Sequence, residues 1–494
     1  MLNKKKASMT LNSFEKDIFN AKAKVDDIFK FIKENSEQIE AHKMEQHIFR
    51  EVLLMGLSMM NTYFNTVETN DVGPSITGEN GVELKRHSVK SRKYISIFGD
   101  LDVERQIYWA KGSGCIAPLD QHCNLPEQPY SYFLQEIING FSVDHNFSEA
   151  QSKLRKLFQL DIGGRQIEEL PSGTVEQYDQ FYDQKPLPKV ETEGSIQVLS
   201  FDGKGVPMIK KEAAKIKSRN GKGEKRQKKK EALVGVGYTV DCHERTAEQV
   251  AGNLIYGKIP EGEGKTETIP VPRACNIRRI ASLEKPKEEV VGVIMEEALK
   301  RNPGNIRPTV VLLDGSLYLK KIVDKVMKGH VPYTMVLDII HVIEYLYIAT
   351  HVFHKENTKD AKAFVYKLLL KVLNGKTGRA VGGLKQMVTK RGIGGPKAEA
   401  IGKVVKYLSN HKSYMKYDEY LSKGFPIGTG VVESSCKQVV KGRMEGAGMR
   451  WSMKGAEGML LLRSILTSKD MGEYHKFRIE QEKLKLYKSY KRVA

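Results

Sequence analysis

No run of apolar residues in this chain approaches the ~18–20 needed to cross a bilayer as a helix, so no membrane-spanning helix is expected. Cysteine is scarce: five residues, at 115, 123, 242, 275 and 436, with no CxxC pair among them. An odd, scattered set is not a disulfide framework and points to reduced thiols. His122 and Cys123 are adjacent and close to Cys115, but the remaining ligands of a zinc site are missing. The N-terminal MLNKKKASMT is basic, yet no apolar stretch follows it, and a secretory signal is not expected. These features together predict a soluble protein of the cytoplasm. Acid is scarce relative to base: 60 Asp and Glu stand against 80 Lys and Arg, a formal charge of +20. An excess of that size implies a polyanionic partner, because each phosphate neutralised releases counterions.

At 494 residues the chain exceeds one ordinary core, and about two to four domains are expected. The first 90 residues read as a helical region. Leu11, Phe14, Ile18, Ala21, Val25, Ile28 and Ile32 repeat at 3-4 spacing, which suits a short dimerising coiled coil or an amphipathic helix on its own core. Residues 67–90 are polar and Gly-bearing and read as a linker. Residues 91–190 form a second region. KYISIFGDLDVERQIYW, residues 93–109, reads as two β segments joined at Gly99-Asp100. A helical set follows from about Tyr130. Ser148 to Gln151 fits a capping box ahead of Leu154, Leu157 and Phe158. The break at Asp161–Gly164 precedes a second helix near Arg165. Such a pair is either a helix-turn-helix reader of DNA or an ordinary helical hairpin.

The chemistry begins near residue 191. The strand-like QVLSF runs into Asp202, and VVLL runs into Asp314. Asp-Gly is a common turn signal after any strand; the alternative is that both carboxylates meet at one edge of a sheet and hold a metal. The basic loop after Asp202 has eleven Lys or Arg between 210 and 230 and two acids. It reads as a phosphate-backbone grip carrying Lys204, Lys217, Arg219, Lys225 and Arg226. Hard oxygen ligands suit Mg²⁺, or Mn²⁺, and two such ions support in-line phosphoryl transfer. The third acid is not fixed by chemistry alone: Glu433 competes with Asp338, Glu344 and Glu445. Residues 315–432, 118 in all, are too many for a plain strand-to-helix connection. A helical insertion over 342–424 accounts for them.

FDGKGV, LLDGS, LDIIHVIEYL and above all FPIGTGVVESSCKQVVKGRMEGAGMRWS resemble the ISKra-type insertion-sequence transposases, a DDE family. The similarity spans roughly residues 93–468, and its last block is the most specific part, with Thr429 where the family carries serine. The resemblance implies an α/β fold: a ribonuclease H-like catalytic domain, residues 191–341 and 425–494, interrupted by an all-α insertion and preceded by helical and β-plus-helical regions. It implies a catalytic and metal-binding triad of Asp202, Asp314 and Glu433, with two Mg²⁺ ions. Asp338 and His341 match an auxiliary D-x-x-H element. Lys441, Arg443 and Arg450 become candidate DNA contacts, and Trp451 either stacks on an exposed base or sits in a core. The cysteine pairs that relatives often carry before PLD are missing here, which puts a zinc-ribbon role in doubt. The implied activity is cleavage of DNA at element ends and strand transfer into target DNA by a homo-oligomer, at least a dimer. The alternatives are a nuclease of the same fold without strand transfer and a DNA-binding regulator that has lost catalysis.

Overall fold

The computed structural model describes residues 19, 21–216, 228–257, 271–487 and 489–492. Leu11, Phe14 and Ile18 of the 3-4 repeat lie outside the described residues. The chain divides into two compact units, residues 1–181 with 472–494 and residues 182–471. No helix of the described residues is long and apolar enough to cross a membrane.

The first unit contains an all-antiparallel sheet. Its strands are β1 (Ser75–Gly78), β2 (Glu83–Ser96), β3 (Gly99–Ala110) and β4 (Gly114–Ile116), in sequence order, with the strand Tyr490–Arg492 outside β1. Residues 67–90, expected as a linker, thus hold β1 and much of β2. Charge hides the strand: ELKRHSVKSRKYIS has no apolar alternation, and main-chain pairing with β3 from Lys85–Trp109 to Ser96–Gly99 builds it instead. The hairpin does turn at Gly99, whose φ of 137° is open to glycine. The helix Ala41–Thr66 places Leu57, Met60 and Phe64 against Leu101 and Val103 of β3.

Three further helices, Tyr132–Asp144, Phe147–Phe158 and Gly164–Thr174, share a core of Leu134, Ile138, Leu154 and Ile167. The middle helix starts earlier than the expected box at Ser148: Asn146 caps it, its side chain accepting the Glu149 N–H at 2.9 Å. The exposed side of the last helix presents Glu168 and Glu169, and Arg165 is engaged by Glu169 at 2.8 Å. That face is poorly suited to a phosphate backbone.

The second unit is built on a mixed sheet of β5 (Ile196–Pro207), β6 (Lys229–Val240), β7 (Cys275–Ser282), β8 (Thr309–Leu313) and β9 (Thr334–Leu337), ordered β7-β6-β5-β8-β9. The pairs β5–β6 and β6–β7 are antiparallel, while β5–β8 and β8–β9 are parallel. The uninterrupted apolar run of β8 is explained by its central place: Val310 to Leu313 are each at most 1% exposed. Burying such side chains contributes roughly 1.5–3 kcal/mol each before the entropy of ordering is counted. The helix Lys287–Arg301 packs Val290, Val291 and Ile294 in this core.

Between β9 and residue 424 the chain is helical, with Ile339–Phe353, Lys359–Leu373, Thr377–Lys390, Gly395–His411 and Tyr417–Ser422. The last of these is tied to the sheet edge, where Tyr417 donates its hydroxyl to Leu337 O at 2.8 Å and Tyr420 donates to Met335 O at 3.1 Å. The short helix Gly430–Ser435 then runs into a π-helical turn, Cys436–Lys441. Arg463, on the helix Met453–Thr467, donates Nε to the carbonyls of Gln438 and Val439 at 3.0 and 3.1 Å, so these oxygens of the turn are satisfied.

Candidate active site

The parallel register of β5 and β8 determines where the two aspartates fall. Ser200 pairs with Leu312, and two residues further along each chain stand Asp202 and Asp314. They are therefore neighbours at the end of the parallel ladder. One detail differs from the sequence expectation: β5 does not stop at Asp202 but continues, paired with β6, to Pro207. Asp314 does follow the last residue of β8. Its Oδ1 accepts the Ser316 N–H at 2.9 Å across Gly315, an Asx turn that fixes the carboxylate.

Asp202 is half-buried. Burial pushes its carboxyl above the usual range, and the charge of Asp314 pushes the same way. The Cys436 thiol donates to Asp202 Oδ2 at 3.2 Å and opposes that shift. Burial and the Asp202 charge push the thiol itself far up, so it remains a donor rather than a thiolate. Cys436 lies three residues after Glu433, one helical turn away. The same segment that contacts Asp202 thereby carries Glu433.

Asp338 closes β9 and caps the helix Ile339–Phe353. It is 0% exposed. Its N–H donates to Leu313 O at 2.9 Å, the residue before Asp314. Its Oδ1 accepts from Ile340 N and Thr429 N at 3.1 and 3.3 Å. Burial pushes its carboxyl up, against hydrogen bonds that pull it down, the Thr429 hydroxyl first among them. The Thr429 hydroxyl also stands 2.8 Å from Glu433 Oε1. His341 places Nδ1 3.1 Å from Glu344 Oε2 and Nε2 4.0 Å from Asp338 Oδ2.

Among the described residues, one group of His, Cys, Asp and Glu side chains has ligand atoms all within 4.8 Å of one another: Asp338, His341 and Glu433. Asp202 and Asp314 stand outside it, as do His122 and Cys123. The donor chemistry of the aspartate pair nevertheless fits a divalent cation. The Asp314 charge raises the proton affinity of Asp202, and a hard cation relieves that repulsion.

The proposed DNA contacts divide by exposure. Lys441 and Arg450 are exposed and Lys204 is half-buried. Arg443 is 2% exposed, its guanidinium 4.8 Å from the Trp451 ring, so it is not offered to a phosphate chain. Trp451 is itself buried and donates Nε1 to Met444 O at 3.1 Å, the core alternative of its two readings. Lys217, Arg219, Lys225 and Arg226 lie outside the described residues. Sequence reasoning passed over Thr429 as a hydrogen-bonding link, Cys436, and Arg279 of β7. The last reaches Ser435 Oγ with Nε at 2.8 Å and steadies the Glu433 helix from behind.

No family model matches the chain, and no curated protein matches it. Among solved structures, the chain is similar to one titled "Drosophila P element transposase strand transfer complex", with a TM-score of 0.24 and 8% identity over 69% of this chain and 79% of that one. A likeness at that level is too slight to bear on function.

Proposed function

We propose that this protein is a DDE DNA transposase, with residues 191–341 and 425–471 supplying a ribonuclease H-like core, while residues 472–494, expected in that core, belong to the first unit. The observation that carries the reading is the β5–β8 register, which sets Asp202 beside Asp314 at the end of the parallel strands. The strand order β7-β6-β5-β8-β9, with β6 the strand antiparallel to its neighbours, supports it further. So does the resemblance of the Glu433 block to the ISKra-type enzymes.

In this reading Asp202, Asp314 and Glu433 would hold two Mg²⁺ ions, with Mn²⁺ as a substitute. Bound there, the ions would supply Lewis-acid stabilisation of the attacking and leaving oxygens. The chain's own groups do the rest. The Asx turn at Ser316 aims Asp314, Cys436 orients Asp202, and the Asp338–Thr429 link orients Glu433. Lys204, Lys441 and Arg450 bind the phosphate backbone. Hydrolysis at the element ends frees 3′-hydroxyls. Each hydroxyl then attacks a target phosphodiester in line, forming a new P–O bond as the target's own 3′ oxygen leaves. Acting on two ends requires an oligomer, at least a dimer on DNA, and the compartment is the cytoplasm.

The test uses labelled DNA carrying the ends of the element, with Mg²⁺ or EDTA, beside Asp314→Asn. Metal-dependent nicking at the ends, lost in the variant while DNA binding survives, is the expected outcome. Equal cutting by the variant overturns the site. Cutting without strand joining reduces the reading to a nuclease.

A further inference from the structure

The helical segment between β9 and Glu433 does more than lengthen the chain. Its helix Gly395–His411 reaches the turn that carries Asp314. His411 is 3% exposed, and its Nε2 lies 2.8 Å from Gly315 O. A carbonyl only accepts, so this contact is a hydrogen bond when that ring nitrogen carries the proton. The other nitrogen lies 2.7 Å from Tyr407 O, a second acceptor one turn back on the same helix, so a singly protonated ring donates to one of the two carbonyls and a doubly protonated ring to both. Tyr407 sends its hydroxyl to Asp314 O at 3.3 Å. Its ring is stacked on Tyr345, centroids 3.7 Å apart and planes 6° from parallel, and so is held by the helix that begins at Asp338. Burial pushes the Tyr407 hydroxyl up, with the Asp314 charge adding, so it stays a donor.

The turn is shaped to this contact. Gly315 has φ of 94°, and a Cβ there would come within 2.7 Å of the Tyr407 hydroxyl. Only glycine meets both demands. Two consecutive carbonyls, Asp314 O and Gly315 O, are therefore gripped by two side chains, while the Asp314 carboxylate takes its own bond from Ser316 N.

We infer that Tyr407 and His411 are positioning residues of the metal site: the inserted helix clamps the Asp314–Gly315 turn so that the Asp314 carboxylate is held ready for a divalent cation. This rests on the reading of Asp314 as a metal ligand. Outer groups that orient a ligand ordinarily matter about 10–100-fold in metal affinity. The clamp therefore shows in binding as well as in turnover. It also makes the insertion part of the catalytic unit rather than an appendage that tolerates removal.

The experiment is Mn²⁺ titration of the full chain, followed by the electron paramagnetic resonance signal of free Mn²⁺, for wild type, Asp314→Asn, Tyr407→Phe, His411→Ala and His411→Gln. The same proteins are assayed for end cleavage across Mn²⁺ concentrations. Wild type binds, and Asp314→Asn loses a site. His411→Ala requires on the order of tenfold more Mn²⁺ for half-saturation, and its cleavage recovers at high Mn²⁺. His411→Gln, which keeps a donor, falls between. Tyr407→Phe removes one oxygen atom and serves if His411→Ala does not fold; its half-saturation rises severalfold. If Asp314→Asn loses its site while Tyr407→Phe and His411→Ala titrate like wild type, the clamp is wrong and the catalytic reading survives. If Asp314→Asn also binds like wild type, both fall.

Discussion

Asp338 Oδ2 and Thr429 Oγ1 lie 2.6 Å apart, and both side chains are buried. The Thr429 hydroxyl has one hydrogen and two carboxylate oxygens within reach, the second being Glu433 Oε1 at 2.8 Å. That one hydrogen is therefore shared between Asp338 Oδ2 and Glu433 Oε1, so the hydroxyl links the two carboxylates. Thr429→Val leaves Asp338 without its nearest partner and should cost about 1–3 kcal/mol of stability, together with most of the cleavage rate. Thr429→Ser, which restores the serine of the resembling family, should retain both. Denaturant melts and end cleavage on the three proteins decide it, and a Val variant as active as the Ser variant would refute the role given to the hydroxyl.

The aspartate pair predicts opposite effects on stability and activity. Asp202 is pushed up by burial first and Asp314 second, so the fold holds its proton more tightly than the unfolded chain does. The associated stability is therefore present at low pH and is lost as pH rises through the folded value. At neutral pH and without metal the pair is a liability. Asp202→Asn should abolish metal-dependent cleavage yet raise the melting temperature in EDTA. Mg²⁺ should stabilise the wild type and not the variant. A variant that melts lower than wild type in EDTA would show that Asp202 is structural.

Much of this site was legible in the sequence because its parts are local. Val310 to Leu313 is too short and too uniformly apolar for a surface element, so the acid that ends it stands out, and the block around Glu433 is dense in small and charged residues. What was hidden depends on long-range contact. Tyr407 and His411 read as ordinary positions of an amphipathic helix, and Gly315 lies 96 residues from His411. The π-turn at Cys436–Lys441 leaves no distinct periodicity over so few residues. β2 escaped because its pairing is main-chain and its side chains are charged. Arg443 and Arg450 looked equivalent, and only packing separates them.

That separation is itself testable. Arg450 and Lys441 are exposed on the segment after Glu433. Each of Arg450→Gln and Lys441→Gln should weaken duplex binding and reduce the salt slope of log K by about 0.9 for each phosphate no longer neutralised. Arg443→Gln should leave the salt slope unchanged. It should instead destabilise the fold, because a buried cation over the Trp451 ring is replaced by a shorter neutral group. Fluorescence anisotropy from low to moderate salt, with melting curves alongside, checks all three. A change of slope in Arg443→Gln would place that guanidinium on the DNA.

The first unit should carry an acid sensitivity of its own, centred on His475. This ring is 6% exposed, its Nε2 has no hydrogen-bond partner among the described residues, and burial, with the Arg478 charge adding, lowers its pKa from 6.5 to about 4. Folded, the ring is neutral down to about pH 4. Unfolded, it takes up its proton near the ordinary value of 6.5. The unfolded chain thus binds more protons between those values, and stability falls as pH drops through that window, by on the order of 3 kcal/mol if the whole gap is realised. Above about pH 6.5 the effect vanishes. His475→Leu removes the titration without orphaning any hydrogen-bond partner of Nε2. Its stability should match wild type to within about 1 kcal/mol near pH 7.5 and exceed it progressively toward about pH 4.5. Denaturant melts at half-unit steps compare the two proteins, so carboxylates common to both cancel in the difference. Parallel curves across the window would mean that the ring is protonated in the fold, and that a carboxylate or water reaches Nε2.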